Sequence, residues 1–336
     1  MDSVIEPATR VPASEADAVL VAGASAGGVE ALIAFVGSLP GRTRHAVCVV
    51  LHVSPARTSV LADILRRSSG MPVHSAVDGE ALLAGHVYVA PPDHHLEVER
   101  GRVRLSHAPR ENGHRPAIDA TMRSAALSYG GAAVGVVLSG SRDDGTAGLR
   151  TIKSLGGATV VQDPAEARYR GMPDSAIANV DVDAVLPIAE MADWLAHVMP
   201  PDPERDPSFG RRDPALAGEA AAGTRFRCPD CGEALFERGE NGPARFACHA
   251  GHAYSLQALA GEQARHVEDA LWAGVRVLED RGDLLRRMAR RADRRGDHRS
   301  ACSFADHADD IDRRLAGVRD AIRSRPAAAD DAHATS

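Results

Sequence analysis

The chain has 336 residues, 44% of them hydrophobic, with a formal net charge of −7; that is enough to bury a sizeable core, and the acidic balance excludes the cationic footprint of a nucleic-acid-binding protein. No run approaches the ~20 apolar residues of a membrane span, and the N-terminus M-D-S-V-I-E-P-A-T-R lacks an apolar signal segment, so the expectation is a cytoplasmic protein without membrane insertion. Lys153 is the only lysine, which excludes any mechanism needing a second, and the clustering of three of the five cysteines favours a metal site in a reducing compartment over a disulfide framework.

Residues 1–16 read as a disordered N-terminus. From 17 to 199, apolar runs at 18–23, 46–51, 87–90, 133–138 and 158–162 alternate with helical patterns at 28–38, 58–68, 117–129, 146–155, 173–179 and 188–198. Such alternation predicts an α/β fold with a doubly wound, mostly parallel sheet. The stretch H-L-E-V-E-R-G-R-V-R-L-S reads as two short alternating strands joined at Arg100 and Gly101, a small antiparallel hairpin expected to make the sheet mixed. Proline and charge without apolar periodicity mark 200–224 as a linker, followed by a cysteine-containing unit at 225–254.

Two helical patterns fill 255–325, ahead of a disordered tail at 326–336. Val267, Leu271, Leu278, Leu285 and Met288 form one stripe; Phe304, Ala308, Ile311, Leu315, Val318 and Ile322 form another, and Gly296 and Asp297 break between them. An antiparallel helical hairpin follows, its stripes read first as a mutual packing seam.

The segment D-A-V-L-V-A-G-A-S-A-G-G sets Ser25 in a turn between a β-prone run and an amphipathic helix. Gly23 and Gly27 flank it as G-x-S-x-G, the elbow that lifts a serine oxygen above a parallel sheet. The N–H groups of the following helical turn suit a tetrahedral oxyanion or a phosphate equally. The same glycine turn resembles that of short-chain dehydrogenases. That rival lacks an acidic residue after the second strand, which ends in Leu51, His52 and Val53, and the single lysine forbids its Tyr-x-x-x-Lys pair. Hydrolysis is therefore the favoured reading.

An activated serine needs an imidazole, and the imidazole needs a carboxylate on its other nitrogen. His52 follows V-C-V-V-L at the carboxyl end of the second strand, while V-G-V-V-L ends in S-G-S-R-D-D-G-T-A-G, which offers Asp143 and Asp144 at the same edge. Either aspartate could instead be a turn or helix-cap residue.

At these residues the chain resembles the chemotaxis protein-glutamate methylesterase family, the CheB catalytic domain. Six ordered blocks carry the resemblance: G-A-S-A-G-G, V-V-L-H-V-S-P, Y-V-A-P-P-D-H-H-L, R-P-A-I-D, V-L-S-G-S-R-D-D-G-T-A-G-L and G-M-P-D-S-A-I. The resemblance implies Ser25 as nucleophile, His52 as general base and acid, and Asp144 as orienting carboxylate, because the family's G-x-x-x-D-G aligns Gly140, Asp144 and Gly145. It also implies hydrolysis of glutamate γ-methyl esters on chemoreceptor helices with release of methanol, with glutamine deamidation as a second activity and no catalytic cofactor. Oxyanion donors are expected among the backbone N–H groups of Ala26 and Gly27 and near Ser141, with Arg115 and Met172 as mouth or packing residues. The chain departs from the family in having only about 16 residues where a receiver domain usually stands, and in Ala26 and Ser141 where threonine and methionine are common. The alternative from another class is a catalytically idle esterase-like scaffold.

Past the linker, C-P-D-C and C-H-A-G-H give the spacing C-x2-C-x16-C-x3-H of a tetrahedral zinc ribbon, with Cys228, Cys231, Cys248 and His252 as ligands and His249 as the competing fourth. Four protein ligands leave no open position, so the expected zinc is structural. The helical hairpin beyond it is expected to dock signalling proteins.

Overall fold

The structure is a computed structural model, described here for residues 15–41, 43–55, 59–198, 222–238 and 244–323. The expected disordered termini and nearly all of the 200–224 linker lie outside the described residues. Two compact units divide the chain, Met1–Ala258 and Leu259–Ser336.

In the first unit the elements run β1 (Ala18–Ala24), α1 (Gly28–Ser38), β2 (His45–Leu51), α2 (Leu61–Ser68), β3 (Val73–Ser75), β4 (Val87–Val89), β5 (His95–Glu99), β6 (Arg102–Ser106), α3 (Ile118–Tyr129), β7 (Ala133–Val137), α4 (Thr146–Ser154), β8 (Ala158–Gln162), α5 (Gly171–Asn179), β9 (Ala184–Leu186) and α6 (Ile188–His197). Seven strands form one sheet in the order β3-β4-β2-β1-β7-β8-β9, and every pairing in it is parallel. The antiparallel hairpin exists, but β5 and β6 pair only with each other as a separate two-stranded sheet. The main sheet is accordingly not mixed: helix α3 packs against β5, which places the hairpin in the layer over the sheet face.

Every residue of β1 and β2 is buried, as strands covered on both faces require. The two-residue period then sorts side chains between two cores: Val19 and Val21 join Ile118, Met122 and Leu149 on one face, whereas Leu20, Ala22 and Ala24 join Leu32, Phe35 and Met191 on the other. The chain leaves β1 for β2 on one side and returns to β7 on the other. The strand order therefore reverses at β1, and the crevice beyond the carboxyl ends of β1 and β7 is the position where wound sheets bind ligands.

Four further strands, β10 (Ala222–Arg227), β11 (Ala234–Arg238), β12 (Arg245–Ala247) and β13 (Ala253–Ser255), make an antiparallel ribbon in sequence order. The first unit ends shortly after it.

The second unit holds most of α7 (Leu256–Asp293) and all of α8 (His298–Arg323). Val275, Ile311 and Leu315 are buried at its centre, flanked by Leu278, Leu285, Val318 and Ile322. Three residues of the expected first stripe fall outside this seam: Leu271 is half-buried, and Val267 and Met288 are exposed at 50% and 39%. Val267 lies toward the start of α7, the longer helix at 38 residues against 26 for α8. Arg286 pairs with Asp312 and Arg319 with Glu279 across the hairpin. No helix among the described residues is long and apolar enough to cross a membrane.

Candidate active site

Ser25 follows β1 directly. Its amide donates to the Ser139 carbonyl beyond β7 (3.0 Å), and its own carbonyl accepts from Gly28 (2.9 Å), which closes the turn into α1. Gly27 sits at φ +67° in this turn, a left-handed conformation that glycine adopts without a Cβ clash. Gly23 serves a different end from the one its motif suggests. It lies within β1, and a Cβ there would come 2.3 Å from Ile118 Cγ2, so the missing side chain admits the first turn of α3.

His52 is reached from β2, and its amide donates to the Ala24 carbonyl (3.3 Å). The His52 Nδ1 lies 3.0 Å from Ser25 Oγ, and Nε2 lies 2.7 Å from Asp144 Oδ2. A carboxylate at Nε2 fixes the ring proton there, leaving Nδ1 to accept the serine hydroxyl. Ser25, His52 and Asp144 thus form one hydrogen-bonded line drawn from three distant parts of the sequence. Such a line can draw a proton from the hydroxyl while the carboxylate balances the imidazolium that forms.

The Asp144 carboxylate is fully enclosed and accepts four hydrogen bonds. Oδ2 takes His52 Nε2–H and the Ile118 amide (2.7 Å); Oδ1 takes Asn112 Nδ2–H (2.9 Å) and the Asp119 amide (3.2 Å). Burial pushes its pKa up, but the His52 hydrogen bond and charge, the His114 charge and the Ile118 N–H outweigh this and hold it well below the usual carboxylate range. Neighbouring Asp143 makes no such bond to His52. Its Oδ1 is buried without a partner, and burial, with the Asp144 charge, raises its pKa.

Residues 20–195 match the profile of the CheB methylesterase family. The chain belongs to that family. It is 38% identical over 196 residues to a protein-glutamate methylesterase/protein-glutamine glutaminase of Rhizobium johnstonii, covering 57% of this chain and 53% of that one. A protein of the same name from Photorhabdus laumondii is 37% identical over 198 residues, 56% of each chain. The chain thus spans about half the length of these curated relatives. Among solved structures, the Thermotoga maritima CheB methylesterase catalytic domain matches with a TM-score of 0.52 and 34% identity, over 54% of this chain and 98% of that domain.

The remaining expected residues sit around the line. Ala26 and Gly27 occupy the turn after Ser25, where Ser139 Oγ donates to the Ala26 carbonyl (2.9 Å). A Cβ built at Gly140 would fall 3.0 Å from Ser25 Cβ, so the residue before Ser141 lies against the serine. Met172 is fully buried and its amide donates to the Gly140 carbonyl (2.8 Å). Arg115 holds Asp93 and the carbonyls of His107 and Ala108, tying the turn after β4 to the segment after β6.

Four functional neighbours escaped the sequence reading, all within E-N-G-H-R-P-A-I-D. The His114 ring stacks on His52 with centroids 3.6 Å apart. Asn112 donates to both Asp144 Oδ1 and Asp119 Oδ2 (3.0 Å). Asp119 Oδ1 accepts the Gly145 and Gly148 amides (3.0 and 2.7 Å), and burial together with the Asp144 charge raises its pKa. Glu111 is largely buried between Arg123 and Arg245; burial raises its pKa, and the two guanidinium charges more than reverse this. The one available signal was the R-P-A-I-D block, which located α3 without revealing what its first turn holds.

The family profile ends before the ribbon, where Cys228, Cys231, Cys248 and His252 bring one ligand atom each to within 4.8 Å of one another. The Cys231 and Cys248 sulfurs are 3.7 Å apart, and Cys248 Sγ is 3.4 Å from His252 Nδ1. Zinc–ligand bonds of about 2.3 Å to sulfur and 2.0–2.1 Å to nitrogen span tetrahedral edges of about 3.8 and 3.6 Å, so the four donors suit one metal ion. A glycine closes each knuckle, with Gly232 N–H donating to the Cys228 carbonyl four residues back (2.8 Å) and Gly251 N–H to the Cys248 carbonyl three residues back (3.1 Å). His249 points elsewhere, its ring edge-on to Phe236.

Proposed function

We propose that the protein is a serine hydrolase acting on protein glutamate γ-methyl esters, with glutamine side chains as a second substrate. The observation that carries this reading is the Ser25–His52–Asp144 hydrogen-bond line, standing at the sheet's switch point in a chain of the CheB methylesterase family. Ser25 Oγ attacks the ester carbonyl while His52 Nδ1 takes its proton. The resulting oxyanion meets the backbone N–H groups of Ala26 and Gly27 and those beside Ser141. Collapse expels methoxide, which takes the proton from Nδ1 and leaves as methanol. Water then attacks the acyl-enzyme, again deprotonated by Nδ1, and restores Ser25 with a free glutamate side chain.

The names of the relatives give protein glutamate and protein glutamine side chains as the groups acted on, and methylated chemoreceptor helices are the substrate class that the family resemblance implies. The ribbon is read as a structural zinc site with Cys228, Cys231, Cys248 and His252 as ligands, a reading supported by the donor spacing. The hairpin is read as a docking element for signalling proteins, with Trp272, Val277 and Leu284 of α7 exposed to meet them. The test is methanol release from methylated receptor by wild type and Ser25→Ala. Release that depends on Ser25 supports the assignment, and equal rates overturn it.

A further inference from the structure

The turn at residues 111–114 touches both His52 and Asp144, and it is fastened from behind by the ribbon. On the ribbon side, the Asn112 amide donates to the Ala253 carbonyl (2.8 Å), Asn112 Oδ1 accepts the Ser255 amide (3.0 Å), and Ala253 N–H reaches the Arg110 carbonyl (3.4 Å). Arg245 of β12 pairs with Glu111 (3.2 Å), and Pro109 packs where a Cβ on Gly251 of the second knuckle would meet it at 3.0 Å. On the catalytic side, Asn112 Nδ2 bridges the Asp144 and Asp119 carboxylates, while His114 lies flat on His52.

Asn112 is therefore committed at both side-chain polar atoms and at its backbone N–H. Its two N–H bonds enter the carboxylate pair, and its oxygen and backbone N–H are held by β13. It is 2% exposed and adopts φ +53°, a conformation uncommon outside glycine, although asparagine is among the residues that tolerate it best. Ala253 directly follows His252, the fourth donor of the metal cluster. A metal ion that fixes His252 also fixes the peptide groups that hold Asn112.

We propose that Asn112 is a positioning residue through which the metal-held ribbon sets the Asp144 carboxylate, and with it the His52 ring, for catalysis. The inference rests on the serine-hydrolase reading. Without the metal, β13 loses its anchor at His252 and the bridging amide loses its fixed acceptor and donor. Asp144 then faces Asp119 with one hydrogen bond fewer. Misplacement of a catalytic group by about 1 Å costs on the order of 100-fold in rate, so a loss of about 10- to 100-fold is expected.

The test uses the full-length protein. Metal occupancy is followed by the thiolate-to-metal absorption of the cobalt-substituted form, Ser25 activation by its labelling rate with a fluorophosphonate, and the His52–Asp144 contact by the downfield proton resonance of Nε2–H. Stripping the metal from wild type should slow labelling by that factor and broaden the resonance, with Zn2+ restoring both. Cys231→Ser should reproduce the stripped state without a chelator. Asn112→Gly keeps the left-handed backbone and deletes the bridge; it should label slowly with metal bound and respond little to its removal. Failure to bind cobalt overturns the proposal, as does labelling indifferent to metal or an Asn112→Gly variant as metal-sensitive as wild type. If loaded wild type leaves Ser25 unlabelled, the hydrolase reading falls, and the resonance alone decides whether the ribbon sets Asp144.

Discussion

Asp144 and Asp119 cap each other's helices. The Asp144 carboxylate accepts the first two amides of α3, the helix that carries Asp119 in its first turn, and Asp119 accepts the Gly145 and Gly148 amides at the start of α4, directly after Asp144. Each helix N-terminus presents unpaired N–H groups and a partial positive charge, and each receives a carboxylate in return.

The exchange makes Asp144 intolerant of its closest analogue. In Asp144→Asn one oxygen can satisfy only two of the four donors now met, so the new amide nitrogen faces either His52 and Ile118 or Asn112 and Asp119. Each buried donor left unpaired costs about 1–3 kcal/mol. Loss of the orienting carboxylate in a triad lowers turnover by roughly 10⁴-fold. Thermal unfolding and methanol release should therefore both fall, and activity within tenfold of wild type would contradict the role.

Much of this was legible in the sequence, for a physical reason. Strands buried on both faces read as unbroken apolar runs, so the ends of β1, β2 and β7 could be located and with them Ser25, His52 and the Asp143–Asp144 pair. Strands β3 and β9 were missed because three residues, V-H-S and A-V-L, carry no measurable period. The 111–119 segment was opaque because its partners are distant: Asn112 bonds Asp144 and Ser255, and no local pattern encodes a contact across 32 or 143 residues. The role of Gly23 was misread for the same reason, since Ile118 lies far along the chain.

His114 supports the His52 ring from one side, with planes 8° from parallel. A flat neighbour restricts rotation of the ring and offers its face to the imidazolium formed when Ser25 loses its proton. His114→Ala should lower the fluorophosphonate labelling rate of Ser25 by about tenfold, a barrier change of about 1.4 kcal/mol. His114→Phe retains a flat ring and should recover most of the loss. Equal deficits in the two variants would show that stacking is not what the ring contributes.

Glu111 supplies a pH dependence. Burial works to raise its pKa, but Arg123 and Arg245 bring it below the ordinary glutamate value of about 4.3. A carboxyl with a depressed folded-state pKa contributes stability that is complete above its unfolded value and is lost as pH falls through the folded one. Wild type should therefore exceed Glu111→Gln in melting temperature at neutral pH, and the gap should close on acidification below about pH 4. A gap unchanged down to pH 3 would mean that charge pairing with Arg123 and Arg245 is not its source.

Gly23 links the serine motif to the carboxylate pair through packing. A methyl group there would meet Ile118 Cγ2 at 2.3 Å and Cδ1 at 2.9 Å, in a core where Ile118 is fully enclosed. Because interiors are close-packed, the strain is relieved by moving α3 outward at a cost of about 1–3 kcal/mol. The displaced residue is the one whose amide donates to Asp144 Oδ2, so the shift reaches the catalytic line as well as the core. Gly23→Ala should lower both the melting temperature and the Ser25 labelling rate. Gly23→Ala with Ile118→Val, which removes one methyl from the clash, should recover part of each. A Gly23→Ala variant that melts early but labels at the wild-type rate would confine this glycine to packing and detach α3 from the positioning of Asp144.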